Sequence, residues 1–162
     1  MCIVCGTDND ASAKAEFFEC VRSDGEKVIL TIAHPNEKLQ SYPNRMHGGM
    51  IAALIDESMG RTSQIAHPDI WAFTADMNIR YKESVPLDQT LYIESRLIKM
   101  GTRLYECEGR LFLADGTICA TATARFFIVP FEKAFPEGGV SRKQFKSVKV
   151  KKPTAFEFCL PT

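Results

Sequence analysis

Residues 48–66 are the stretch that most restricts how this chain can fold. They have helical length and no proline, and their apolar residues cover much more than one narrow stripe of a helix. These apolar residues are Met50, Ile51, Ala53, Leu54, Ile55 and Met59. A helix of this kind is buried on most of its sides. We therefore predict one long helix around which the rest of the chain is wrapped.

The other patterned stretches are typical of strands. Residues 17–34 predict a hairpin, because two apolar-rich runs flank a turn that contains Asp24 and Gly25. Four further stretches read as strands: 73–84, 88–100, 102–114 and 117–129. In the last of them, alternate residues share one face: Ile118, Ala120, Ala122, Ala124, Phe126 and Ile128. Alanines on that face let a helix approach closely, so we predict an α+β fold with an antiparallel sheet of about five or six strands wrapped around the helix.

Length and composition indicate an ordinary globular domain. The 162 residues are 45% hydrophobic and 25% charged, and the formal net charge is zero. Nothing here points to nucleic acid or an anionic membrane, and no apolar run approaches the roughly 18 residues of a membrane span. The N-terminus lacks the pattern of a secretory signal, and the six cysteines do not resemble a disulfide scaffold. We expect a cytoplasmic protein with free thiols.

The pattern changes after residue 130. Residues 131–162 contain a proline–glycine break followed by a basic stretch. Alternation in residues 145–152 favours an extra edge strand, since lysines often protect such edges; a solvated extension is the other interpretation. We predict one domain over residues 1–130 and a basic C-terminal extension over residues 131–162.

The central helix begins with two glycines and carries two adjacent acids. Gly48 and Gly49 are poor helix formers, but in a first turn they leave backbone N–H groups open to a docked ligand. The other interpretation is that they merely end a loop. Asp56 lies among apolar residues, so its carboxylate must be solvated through a cleft or paired, for example with Arg61 or Arg80. Glu57 lies about 100° around the helix from Asp56, so the two acids cannot face one site.

The segment LQSYPNRMHGGMIAALIDESMG, residues 39–60, resembles the hotdog-fold acyl-CoA thioesterases. The branch most similar to it includes the 4-hydroxybenzoyl-CoA and phenylacetyl-CoA thioesterases. Their signature is a His-Gly-Gly followed by an apolar helix with an acid about nine residues after the histidine. The matching residues here are His47, Gly48, Gly49 and Asp56. The resemblance continues through residues 74–127 and includes the CIVCG start, which one subgroup of the family shares. It implies that residues 1–130 form a hotdog domain.

This resemblance implies an enzyme without a cofactor that hydrolyses an acyl-CoA to a free acid and coenzyme A. Asp56 would act as a base that activates water or as a nucleophile that forms an anhydride. Thr74 matches a position where related thioesterases carry a hydroxyl that helps to hold the water, although a threonine in a strand needs no special explanation. The alternative is a non-catalytic dimer that binds or senses acyl-CoA, with Asp56 structural. A hydratase or dehydratase function is the least favoured hypothesis, because the sequence shows no histidine and acid pair of that type.

Helix geometry favours an active site shared by two chains. Gly49 and Asp56 are separated by nearly two turns, or about 10 Å along the axis. An oxyanion donor and a base must both lie within roughly 3 Å of the reacting atoms, so one helix cannot readily supply both. Two antiparallel copies can, with each Gly49 facing the partner's Asp56, as in the dimeric hotdog family. Whether such dimers pair further into a dimer of dimers is left open.

Three further positions are candidates for substrate binding, together with Gly48. Asn44 and His47 precede the helix, where they can cap it or position the loop; His47 is also a candidate base, although a structural role is favoured. Arg103 is a candidate to bind a phosphate of coenzyme A, and a solvated edge arginine is its other interpretation.

The CIVCG start raises the question of a metal. Cys2 and Cys5 have the spacing of half a tetrahedral zinc site, but the sequence shows no second pair to complete it. A redox role would require a thioredoxin-like strand-to-helix context, which the sequence does not show. We therefore predict no metal at these cysteines.

Overall fold

The computed structural model describes residues 2–67, 70–134 and 150–152 of the chain. Six strands lie in this part: β1 Glu16–Val21, β2 Lys27–Ala33, β3 Trp71–Tyr81, β4 Leu91–Met100, β5 Leu104–Phe112 and β6 Ile118–Val129. They form one antiparallel sheet in the order β1-β2-β4-β5-β6-β3. The predicted α+β fold is confirmed, and β3 forms one edge of the sheet.

The helical segment predicted over residues 48–66 is divided into two helices. They are α1 Gly48–Gly60 and α2 Ser63–Ala66, and a third short helix, α3 Phe131–Ala134, follows β6. Two bonds from Thr62 to the carbonyl of Met59 tighten the end of α1: the backbone N–H donates at 3.0 Å and the hydroxyl at 2.7 Å. A bond to the third preceding residue is the tighter 3₁₀ pattern, and it ends the α-helix there.

Small residues on the inner face of the sheet allow α1 to approach. The predicted face of β6 is confirmed, since Ala120, Ala122 and Ala124 are all buried in the core. In β5, a Cβ added at Gly109 would lie 3.1 Å from the Met59 side chain of α1, closer than most real contacts. The glycine therefore gives α1 the space that a side chain would occupy.

A chain of buried hydroxyls sets the rotation of α1. Ser58 is fully buried and accepts hydrogen bonds from Thr31 of β2 at 2.8 Å and from Ser95 of β4 at 2.9 Å. Residues two positions apart on a helix point about 200° away from each other. Because Ser58 is held against β2 and β4, Asp56 points away from those strands.

Turns join the strands where the sequence indicates them. The hairpin between β1 and β2 has Gly25 at φ +86°, and the turn before β6 has Gly116 at φ +87°. Both conformations strain a residue with a side chain, so glycine suits both turns. The predicted hairpin over residues 17–34 is confirmed.

Residues 150–152 lie along the free side of β1. Lys151 forms a parallel bridge with Phe18, and its N–H and carbonyl bond to Phe17 and Glu19, each at 2.8 Å. Most of the predicted extension over residues 131–162 lies outside the described residues, so the domain boundary at 130 stays a prediction. No helix in the described ranges is long and apolar enough to cross a membrane.

Candidate active site

Asp56 and Thr74 meet where α1 crosses the edge strand β3. The Thr74 hydroxyl donates a hydrogen bond to Asp56 Oδ1 at 2.9 Å. Burial raises the pKa of Asp56 above its usual 3.8, the neighbouring charge of Glu57 raises that pKa further, and the Thr74 bond opposes both effects. In the part of the chain that the structure describes, no lysine or arginine forms an ion pair with Asp56. The considered pairing with Arg61 or Arg80 is therefore absent from this part of the structure.

An irregularity in β3 turns Thr74 toward α1. The pairing with β6 shifts between Thr74 and Asp76, which are opposite the consecutive residues Phe126 and Arg125. The extra residue reverses the alternation, so Met77 packs against the core while Asp76 forms an exposed ion pair with Arg125. Strict alternation along β3 does not anticipate this shift, although Thr74 itself was among the predicted residues.

The first turn of α1 is capped by its own histidine. His47 is the N-cap residue, and its Nδ1 accepts a hydrogen bond from the Gly49 N–H at 2.9 Å. The Gly49 N–H predicted as an oxyanion donor is therefore occupied in this structure. By contrast, the Gly48 N–H has no hydrogen-bond partner among residues 2–67, 70–134 and 150–152. Among the described residues, the first turn therefore leaves the Gly48 N–H as its unbonded donor, and which glycine binds an oxyanion stays a prediction.

Tyr81 holds the same end of α1 from the far end of β3. Its hydroxyl donates to the carbonyl of Gly48 at 2.9 Å, and its ring would lie 3.7 Å from a Cβ added at Gly48. The same strand thus contacts α1 at both ends, through Thr74 and through Tyr81. Sequence reasoning missed Tyr81, because a tyrosine at a strand end carries no local signal for such a contact.

The two other predicted binding residues lie in loops. Asn44 has φ +53°, and its side-chain oxygen accepts a hydrogen bond from the N–H of Leu87 at 3.2 Å, which positions the loop before α1. Arg103 is exposed in the turn between β4 and β5. Its carbonyl accepts a bond from Ile128, which pairs with Ala72 of β3, so Arg103 lies at the end of the sheet that also holds Thr74.

Comparison with known proteins gives a partial match in sequence and a separate match in fold. The sequence model described as "Thioesterase superfamily" matches residues 44–120, from the loop before α1 to the start of β6. A crystal structure of zebrafish thioesterase superfamily member 2 superposes with a TM-score of 0.63 and 20% identity, covering 72% of this chain and 82% of that chain. The match in sequence and the superposition agree on the kind of fold. The predicted hotdog fold is confirmed.

Other similar proteins carry more specific names. Acyl-coenzyme A thioesterase THEM4 of Mus musculus is 32% identical over 109 residues, which are 67% of this chain and 46% of that protein. The BH2602 protein of Bacillus halodurans, solved with CoA, is 25% identical with a TM-score of 0.59, covering 69% of this chain and 73% of that chain. The chain spans less than half the length of the matching acyl-coenzyme A thioesterases THEM4 and THEM5.

The second acid of α1 lies in a different cluster, beside a segment that precedes the superfamily match. Glu57 forms an ion pair with Arg61, and the Cys5 thiol lies 3.9 Å from Glu57 Oε1. Ligand atoms of Cys2, Cys5 and Glu57 all lie within 4.8 Å of one another. Of the residues that the structure describes, these three form the group placed to hold a metal ion. Within the described residues, no such group lies at Asp56 and Thr74.

Proposed function

We propose that this chain is an acyl-CoA thioesterase that hydrolyses the thioester to a free acid and coenzyme A. The observation that carries the proposal is a carboxylate with a raised pKa, Asp56, held by the hydroxyl of Thr74 and by no cation in the described structure. A base with a pKa raised toward the working pH accepts a proton more readily in the transition state. Similarity to proteins named acyl-coenzyme A thioesterases, and to a structure solved with CoA, supports this substrate class.

Asp56 acts as a general base in the proposed reaction. Thr74 orients Oδ1, which leaves Oδ2 to bind the attacking water. As the water oxygen bonds to the thioester carbon, its proton passes to Asp56 and the carbonyl oxygen becomes an oxyanion. When the carbon–sulfur bond breaks, the departing coenzyme A sulfur takes that proton, and the carboxylate is restored. No cofactor is needed.

The first turn of α1 stabilises the oxyanion. The predicted donor, Gly49, has its N–H directed at His47 in this structure, so we propose that the open N–H of Gly48 makes the contact. The hydrogen bond between Gly49 and His47 then maintains the backbone conformation of the turn around the Gly48 N–H. A donor of this kind contributes about 3 kcal/mol to transition-state stabilisation in mutational tests. Asn44 positions the loop that leads into this turn, and the exposed Arg103 binds a phosphate of coenzyme A.

Each active site is built from two copies of the chain. Gly48 and Asp56 are eight residues apart on α1, or about 12 Å along its axis, too far for both to reach one thioester. The 11-residue edge strand β3 leaves aromatic side chains exposed, with Phe73 at 52% and Tyr81 at 50%. Long exposed edges of this kind are normally covered. We propose that two chains pair across β3, so that each Gly48 faces the Asp56 of the other chain.

The proposal also includes the cellular location of the protein. The five cysteines in the described ranges are all free of disulfides, which is the usual state in the reducing cytoplasm. We therefore propose a cytoplasmic enzyme.

A thiol-release assay with a panel of acyl-CoAs tests the activity. We expect release of coenzyme A that depends on Asp56. Binding of acyl-CoA without release of thiol, in wild type as in Asp56→Asn, would instead make the chain a binding or sensing dimer.

Subunit mixing tests the shared site. Gly48→Val adds a branched side chain at the residue that carries the open N–H, with its Cβ 3.7 Å from the Tyr81 ring, and Asp56→Asn removes the base. Each homodimer should therefore be nearly inactive. A mixed dimer has one site with both defects and one with neither. Random exchange makes half of the dimers mixed, so activity should recover to roughly one quarter of wild type. If labelled chains exchange and activity does not recover, the two residues do not act across an interface.

A further inference from the structure

The N-terminal CIVCG segment is folded into a tight turn that directs two sulfurs the same way. The Val4 N–H donates to Cys2 Sγ at 3.3 Å, and the Gly6 N–H donates to the carbonyl of Cys2 at 3.0 Å. A Cβ added at Gly6 would lie 2.5 Å from the Cys2 carbonyl oxygen, so the turn excludes any other residue there. Backbone N–H groups that point at a sulfur stabilise its thiolate, the form that binds metals.

Glu57 supplies the third ligand, which the sequence did not show. Although 52 residues separate Cys5 from Glu57, the Cys5 sulfur lies 3.9 Å from Glu57 Oε1. Ligand atoms of Cys2, Cys5 and Glu57 all lie within 4.8 Å of one another. Ligands around a tetrahedral zinc ion, with its usual bond lengths, are about 3.5–3.8 Å apart. Shortening these separations by at most about 1.3 Å therefore brings the three groups to zinc-binding distances.

The charges of the cluster also suit a divalent cation. Two thiolates and one carboxylate carry three negative charges, so a divalent ion leaves one in excess. Arg61 neutralises it, since its guanidinium pairs with Glu57 and its side chain is only 12% exposed. A carboxylate has room on its two oxygens for both the arginine and a metal. Such an outer partner is what orients a metal ligand in known sites.

We propose that Cys2, Cys5 and Glu57 bind one zinc ion per chain, with a water molecule as the fourth ligand. Zinc suits a borderline set of two sulfurs and one oxygen. Its role is structural: it fastens the N-terminal segment to α1. It takes no part in the proposed hydrolysis, because Glu57 points about 100° around α1 from Asp56. The expectation of no metal rested on the missing second cysteine pair, and α1 provides a ligand in its place.

Metal analysis of the full chain, purified reduced, tests the proposal. We expect about one zinc per chain, and after chelation we expect added Co²⁺ to give the strong near-ultraviolet absorption of cobalt–thiolate bonds. Cys5→Ser should abolish both signals, and Glu57→Gln should weaken zinc binding by at least about tenfold. Saturating zinc should raise the Tm of the chelated wild type by several degrees, and this rise should be lost in Cys5→Ser.

Two control variants separate the cluster from general effects. Cys20→Ser removes a half-buried thiol outside the cluster, and Glu108→Gln breaks a comparable glutamate–arginine pair with Arg96. Both should keep one zinc per chain. The proposal is overturned if reduced wild type takes up neither zinc nor Co²⁺, if uptake survives the loss of both Cys2 and Cys5, or if Cys20→Ser loses it equally.

Discussion

Asp56 and Glu57 are adjacent on α1 and have the same charge, but their surroundings differ. Asp56 faces β3, where its partner is the uncharged hydroxyl of Thr74. Glu57 faces the N-terminal segment, where it pairs with Arg61. The Arg61 guanidinium also lies 4.6 Å from the centre of the Phe17 ring, which fixes it further. No cation in the described ranges pairs with the carboxylate of Asp56, while that of Glu57 is held by Arg61.

The comparison separates a reactive acid from a structural one. A half-buried carboxylate without a cation has a raised pKa and keeps an oxygen for a ligand, at a cost to stability. A carboxylate paired with arginine is oriented and neutralised, so it is less available as a base and better suited to hold neighbouring parts of the fold together. The following substitutions test whether the two acids divide these roles.

The largest expected effect is the loss of turnover in Asp56→Asn. The side chains are nearly isosteric and the new amide oxygen still accepts the Thr74 bond, so the loss reports on the base. We expect kcat in the thiol-release assay to fall by about 100- to 10,000-fold. Glu57→Gln is the matched control and should remain within a few-fold of wild type. Similar losses in the two variants would remove the distinction between the acids.

A smaller effect is expected when the partner of Asp56 is removed. Thr74→Val deletes the hydroxyl at similar volume, and we expect a loss of kcat of about tenfold, as for a hydrogen bond to a charged group. Since the Thr74 bond lowers the pKa of Asp56, its loss should move the acid limb of the kcat/KM profile to higher pH.

Thr74→Ser supplies the control for that experiment, because it restores the hydroxyl. Both the rate and the position of the acid limb should return toward wild type. A slow Thr74→Val variant whose pH profile is unchanged would indicate that Thr74 acts only through packing.

Stability should change in opposite directions at the two acids. Because the pKa of Asp56 is raised in the folded state, its contribution to stability is largest below pH 3.8 and is lost as pH rises through the folded pKa. Asp56→Asn should therefore melt above wild type at neutral pH, and the gap should close in acid. Glu57→Gln removes the ion pair between Glu57 and the mostly buried Arg61, so its Tm should fall by about 2–8 °C with chelator present. Thermal melts of both variants across pH 3–8 check this, and shifts of the same sign would contradict it.

The smallest expected effect on turnover belongs to the cysteine pair. Cys2→Ser combined with Cys5→Ser removes the neighbours of Glu57 and leaves Asp56 and Thr74 untouched. The kcat per folded molecule should stay within a few-fold of wild type at a temperature well below the Tm of the variant. A large drop in kcat in a variant shown by circular dichroism to be folded would indicate that the N-terminal segment contributes to catalysis.

Local periodicity in the sequence was sufficient to predict the fold class. The apolar helix and the alternation in residues 118–128 anticipated a sheet wrapped around α1, because periods of 3.6 and 2 are set by backbone torsions that neighbouring residues share. The same geometry separated Asp56 from Glu57 by about 100°. The spacing of His47, Gly48 and Asp56 is itself the feature that resembles the hotdog acyl-CoA thioesterases.

Tertiary structure alone decided what each of these residues touches. The extra residue in β3 that turns Thr74 toward Asp56, the bond between His47 and the Gly49 N–H, and the meeting of Glu57 with Cys5 have no periodic signature. Each contact depends on how segments pack after they have formed, and packing brings together residues far apart in the chain. For that reason the sequence could place two acids on different faces of one helix, but only the folded chain decided that one meets a hydroxyl and the other an arginine and two thiols.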